Sequence, residues 1–96
     1  MTVNITPTHI VKTLVEIYNE QQPTTPVSYL QDQNDNRNYT FRHGEFVAFN
    51  VTIIEGLPPH LPTFVSLGSN KKQDSLILLT KELDKRFEGK LQIIVY

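Results

Sequence analysis

The residues TFVSLGSNKKQDSLILLTKELDKRFEGKLQIIVY, at positions 63–96, decide the fold of this chain. Residues 63–67 and 91–96 are short runs rich in β-branched and aromatic side chains, which is typical of strands. Residues 74–88 between them have helical spacing of apolar side chains. A strand, a helix and a second strand in this order predict two parallel neighbouring strands joined by a crossover helix, almost always of right-handed sense.

The crossover helix carries its own start and stop signals. Asp74 is the expected N-cap, and Gly89 is the expected C′ residue in left-handed conformation. One stripe of the helix is apolar, and it consists of Leu76, Leu79, Leu83 and Phe87. This stripe should face the core.

An N-terminal helix is also expected. Thr6 followed by Pro7 is typical of an N-cap and a first helical residue, because the N–H that proline lacks would have no partner there. Apolar residues then recur at intervals of three and four, at Ile10, Val11, Leu14, Val15 and Tyr18. Pro23 and Pro26 should end this helix.

Three further strands are expected between the N-terminal helix and the strand at residues 63–67, over residues 27–31, 39–42 and 45–54. The second and third should form a hairpin at His43-Gly44, where glycine allows a positive φ. Alternation in the third strand predicts a core face of Val47, Phe49, Val51 and Ile53. It predicts a half-polar opposite face of Phe46, Ala48, Asn50, Thr52 and Ile54. The polar residues 32–38 are expected to form a mobile loop.

These elements predict the fold class. The order α-β-β-β-β-α-β corresponds to a single α+β domain over residues 1–96, with two helices packed on a mixed sheet of four or five strands. Ninety-six residues suffice for one core but leave a large share of the surface exposed.

Composition makes several classes of function unlikely. Nine Lys and Arg against ten Asp and Glu give a net charge of −1, so no field attracts nucleic acid or an anionic membrane. The chain has no cysteine, and His9, His43 and His60 lack the spacing of metal ligands. No apolar run approaches the length that spans a bilayer. We expect a soluble, intracellular protein located in the cytoplasm, with no metal and no cofactor.

One turn has features of an anion site. Gly68, Ser69, Asn70, Lys71 and Lys72 lie between a strand and the start of a helix, where backbone N–H groups and the helix dipole favour a phosphate or carboxylate. The turn lacks the second glycine and the Gly-Lys-Ser/Thr ending of a phosphate loop. A small-ligand module is therefore one alternative, and a solvated loop is the simpler interpretation.

An enzyme is a further alternative, with His43 and Glu45 as an acid–base pair. The sequence offers no nucleophile or oxyanion donor beside them. No catalytic residue is therefore assigned.

The favoured interpretation is a non-enzymatic interaction or assembly subunit. The last strand is apolar on both faces, so it could pair or pack with another chain. The expected contact residues are Phe46, Ile54, Ile94 and Tyr96. The partner would be a different protein or further copies of this chain, and a ring component of a viral tail or junction is a narrower version of the same hypothesis.

Overall fold

The computed structural model describes residues 5–21, 26–56, 62–69 and 73–96, with 73–75 as backbone only, and places two helices against a five-stranded sheet. The elements are α1 Pro7–Gln21, β1 Ser28–Gln31, β2 Asn38–His43, β3 Phe46–Ile54, β4 Thr63–Gly68, α2 Gln73–Arg86 and β5 Leu91–Val95. The predicted order and the α+β class are confirmed.

The sheet has the strand order β1-β2-β3-β4-β5. The first three pairings are antiparallel, and β4 and β5 are parallel neighbours. The predicted crossover from β4 through α2 to β5 is therefore confirmed. It leaves β1 and β5 as the two edges of the sheet.

The N-terminal helix begins as its sequence predicts. The hydroxyl of Thr6 accepts a hydrogen bond from the backbone N–H of His9 at 3.2 Å, which is the geometry of an N-cap. Pro7 is the first helical residue and Gln21 the last. Pro23, which was expected to end the helix, lies outside the described residues.

Both helices pack on the same face of the sheet. The buried residues of α1 and α2 form one cluster with inward-facing residues of the strands, including Phe41, Phe49 and Leu67. The rings of Phe41 and Phe49 stack with centroids 4.5 Å apart. Arg86 of α2 joins the helices to each other, since it contacts Glu20 at 2.7 Å and Glu16 at 3.7 Å.

The hairpin between β2 and β3 differs from the prediction because β3 contains a bulge. The pairing register shifts between Phe41 and Arg42, so that Phe41 lies opposite Phe49 but Arg42 lies opposite Val47. One extra residue in β3 reverses which face each side chain takes between the bulge and the hairpin turn. Val47 is therefore 49% exposed rather than part of the core, and its predicted placement is wrong.

The same bulge corrects the placement of Phe46. Phe46 lies opposite His43, whose ring contacts Tyr18 of α1, so Phe46 is on the side of the helices and not on the opposite face. It lies at the tip of the hairpin and is 68% exposed. The turn itself is Gly44-Glu45, with Gly44 at a φ of 55°.

The end of α2 differs by one residue from the prediction. The N–H of Glu88 bonds to the carbonyl of Lys85, and the N–H of Gly89 bonds to that of Asp84. This pair of bonds is a Schellman motif in which Glu88 is the C′ residue, with a φ of 55°. The prediction of Gly89 as C′ is therefore wrong, although Gly89 also has a positive φ, of 72°. At the other end α2 begins at Gln73, so Asp74 lies within its first turn.

Candidate functional site

The main candidate is the face of the sheet that the helices do not cover, which we call the outer face. Phe49, Val51 and Ile53 of β3 point into the core, so their alternating neighbours point away from it. Directly paired residues share a face, which extends the assignment across the strands. The side chains of the outer face are those of Ser28, Leu30, Asn38, Thr40, Arg42, Val47, Asn50, Thr52, Ile54, Phe64, Ser66, Gln92 and Ile94.

Large apolar side chains are exposed across the outer face, at Leu30, Val47, Ile54, Phe64 and Ile94. Ile54 and Phe64 lie directly opposite each other and are 46% and 39% exposed. Ile94 on β5 is 50% exposed. The predicted contact residues Ile54 and Ile94 thus lie on one exposed surface. Phe64 was missed, although alternation with the buried Val65 and Leu67 would have placed it there.

Tyr96 covers the end of the outer face next to β4. Its backbone N–H donates to the carbonyl of Leu67 at 3.0 Å, which continues the pairing of β5 with β4. Its ring lies over Gly68, where a Cβ atom would be 2.5 Å from the ring. Gly68 is therefore required for close approach of the ring. Tyr96, another predicted contact residue, is 61% exposed.

The centre of the outer face is polar but almost uncharged. The hydroxyl of Thr52 donates to the side-chain oxygen of Asn38 at 2.7 Å, and that of Thr40 to Asn50 at 3.3 Å. Arg42 is the one charged residue among the outer-face residues that the structure describes. Charged residues make up 20% of the chain, so this face is depleted of them.

The two edges of the sheet differ in their protection. β1 has four residues, and the N–H of Val27 before it is satisfied by the side chain of Asn19 at 2.9 Å. Asp32 directly follows β1. β5 has five residues, Leu91 to Val95, none of them charged and none proline, and Lys90 directly precedes it. An edge strand that contains no charge and no proline is an open template for pairing with another chain.

The predicted anion site is only partly described. Gly68 is the last residue of β4, and the hydroxyl of Ser69 donates to the carbonyl of Ala48 at 3.0 Å. Asn70, Lys71 and Lys72 lie outside the described residues. Anion binding at this turn stays a prediction.

His43 contacts a residue other than its proposed partner. Its Nε2 atom lies 2.7 Å from the hydroxyl of Tyr18, and its Nδ1 atom is buried without a hydrogen-bond partner among the described residues. Burial raises the pKa of Tyr18 above its usual 10.0, so the phenol is neutral. Glu45 is exposed in the turn, and no ion pair joins it to His43 in the described part of the chain. The arrangement links α1 to the hairpin.

The described residues include neither a cluster of metal-binding side chains nor a helix suited to a membrane. No group of three His, Cys, Asp or Glu in this part of the chain is placed to hold a metal ion. None of the helices described there has the length and apolar character needed to cross a membrane.

Comparison with known proteins identifies no relative. No family model matches the chain, and neither a curated protein nor a solved structure matches it significantly.

Proposed function

We infer that this chain is a non-enzymatic interaction or assembly subunit that binds another protein chain through its outer face and the neighbouring edge at β5. The observation that carries this proposal is the combination of exposed large apolar side chains with a single charged residue, Arg42, among the described outer-face residues. Charged groups are depleted at the centres of protein interfaces because their desolvation is costly.

The energetics favour covering this face. Burial of apolar surface stabilises a complex by about 25 cal/mol per Å², and Ile54, Phe64 and Ile94 each have a substantial exposed area to bury. Four polar side chains of this face already bond to each other in two pairs, Thr52 with Asn38 and Thr40 with Asn50, so covering these pairs leaves them hydrogen-bonded. The helical side of the molecule contrasts with this face, since Glu16, Glu20 and Lys81 are exposed there.

The proposal is tested by site-specific photo-crosslinking in the cells that make the protein. A photoreactive phenylalanine analogue at Phe64 should give a discrete adduct with one protein, identified by mass spectrometry. The control is the same analogue at Leu78, which is 59% exposed on α2. Equal or absent adducts at the two positions would contradict the proposal. Adducts between copies and adducts with a different protein both support it, and a ladder of self-adducts ending at one size would favour a closed ring.

A further inference from the structure

Among the described residues, no strand pairs with β5 on the side away from β4, which we call the free edge. The N–H of Tyr96 points towards β4, because it donates to Leu67. In a parallel pair, alternate residues of a strand direct both backbone polar groups to the same neighbour. Gln92 and Ile94 therefore also face β4, whereas the N–H and C=O groups of Leu91, Ile93 and Val95 face the free edge.

We propose that this edge is occupied by β5 of a second copy of the chain, in antiparallel orientation and with the two-fold axis at Ile93. This proposal rests on the proposed function, binding of another protein chain, and identifies that chain as a second copy. Ile93 would lie opposite Ile93 of the other copy, and Leu91 opposite Val95. The three residues whose backbone groups face the free edge then all form hydrogen-bonded pairs with the second copy. The result is a two-fold symmetric dimer with a continuous ten-stranded sheet, twice the five strands of one chain.

The sequence of β5 suits pairing with itself. A two-fold axis brings identical residues together, so any charge in the strand would meet or approach a like charge. β5 has no charge, and its one polar side chain, Gln92, would lie opposite Ile94 of the other copy. In contrast, β1 has four residues and the N–H of Val27 beside it already donates to Asn19, so it offers fewer unpaired groups to β5.

Apolar residues flank the free edge in both layers of the molecule. Arg86 marks the side of α2 that faces α1, because it contacts Glu16 and Glu20. Helical residues are spaced by about 100°, so Ile77, nine positions earlier, lies on the opposite side, above the edge of β5. Ile77 is 43% exposed, and Ile94 below the edge is 50% exposed. Strand pairing would bring both towards the second copy and enlarge the buried area beyond the strands themselves. This matters because stable interfaces bury about 1,200 Å² or more in total.

The first test is the absolute mass of the purified chain by light scattering, over concentrations from low micromolar to near-millimolar. The wild-type mass should rise reversibly from one chain to two. Ile94→Lys should weaken dimerisation by about tenfold or more, because it brings two lysines close together across the axis. Leu30→Lys places the same charge on the outer face at β1, far from β5, and should leave the dimer unchanged.

The second test fixes the register and does not depend on whether Ile94→Lys folds. The chain has no cysteine, so single cysteines give a clean readout. Residues in a hydrogen-bonded antiparallel pair have Cα atoms about 5.5 Å apart, which suits a disulfide. Ile93→Cys should oxidise to a covalent dimer, and Leu30→Cys should not.

The outcomes separate this inference from the proposed function. A wild-type chain that stays monomeric, or one that forms a ring, overturns the two-fold dimer. A dimer that persists in Ile94→Lys and does not crosslink through Ile93→Cys overturns pairing at β5. In each of these cases the proposed function is judged separately, by the adducts formed at Phe64.

Discussion

Gly68 and Tyr96 show how one missing side chain shapes the outer face. A methyl group at Gly68 would overlap the ring of Tyr96, although alanine suits a strand better than glycine does. We predict that Gly68→Ala destabilises the wild-type chain by about 1 kcal/mol, at the low end for overpacking because the tyrosine ring can swing aside. In a Tyr96→Leu background the same change should be neutral or stabilising.

Urea unfolding of the four proteins in this double-mutant cycle measures the coupling. Equal effects of Gly68→Ala in both backgrounds would show that the ring does not lie over the glycine.

Tyr18 and His43 form the polar contact between α1 and the hairpin. In the wild-type chain the rings of Tyr18 and Phe49 have centroids 5.5 Å apart. Tyr18→Phe keeps this ring packing but leaves His43 without its hydrogen bond. The expected destabilisation is about 1–2 kcal/mol, since a partly buried polar group loses its partner. Tyr29→Phe is the matched control, because the hydroxyl of Tyr29 has no hydrogen bond among the described residues and its removal should cost less. Similar losses in the two variants, measured by chemical denaturation, would contradict this account.

At the scale of the element, the end of α2 contains avoidable strain. Glu88 has a φ of 55°, a left-handed conformation that costs a residue with a Cβ atom roughly 1 kcal/mol. Glu88→Gly should therefore stabilise the chain by about 0.5 kcal/mol, after allowance for the greater freedom of glycine when unfolded. Gly89→Ala should have the opposite sign, because Gly89 has a φ of 72°. Thermal unfolding measures both, and a destabilising Glu88→Gly would argue against the Schellman motif.

The loop between β1 and β2 is organised by Asp35. Its carboxylate accepts hydrogen bonds from the backbone N–H and the guanidinium of Arg37, each at 3.0 Å, and from Asn38 at 3.2 Å. Hydrogen bonds from Arg37 hold the pKa of Asp35 below its usual 3.8. Because the unfolded chain binds this proton more readily, the contribution to stability is present above about pH 4 and is lost as the pH falls through the lower folded value.

The pH dependence of stability tests this organisation. Asp35→Asn should be less stable than wild type near neutrality, and the difference should shrink as the pH falls below about 4. Arg37→Gln, which removes the partner, should reduce the same acid-dependent loss. Parallel stability curves for wild type and Asp35→Asn across the acidic range would contradict the prediction.

The elements of the fold could be predicted because each has a local signal. Thr6-Pro7 marks the start of α1, and runs of β-branched and aromatic residues mark β4 and β5. The bulge in β3 could not be predicted, since it depends on how Phe41 and Phe49 align across the hairpin. Phe46 and Val47 lie between the bulge and the hairpin turn, so the one-residue shift made their predicted faces wrong. Ile54 lies on the other side of the bulge, and its predicted exposed face is correct.

At the scale of the whole molecule, the surface is divided by charge. The helical side carries acidic and basic residues, whereas the described residues of the outer face include only Arg42 as a charged group. Sequence alone indicated an apolar last strand, but it could not show that β5 is an edge or that Phe64 lies beside Ile54, because both depend on strand order. The low-charge face and the edge at β5 adjoin each other, and we propose that they bind another protein chain, with a second copy pairing at the edge.

Amide hydrogen exchange of β5 tests the pairing of two copies most directly. The amides of Gln92, Ile94 and Tyr96 face β4, so they should be protected at every protein concentration. The amides of Ile93 and Val95 face the free edge, so they should exchange rapidly in dilute solution and become protected as the concentration rises. Rapid exchange of Ile93 and Val95 at all concentrations would contradict pairing at this edge.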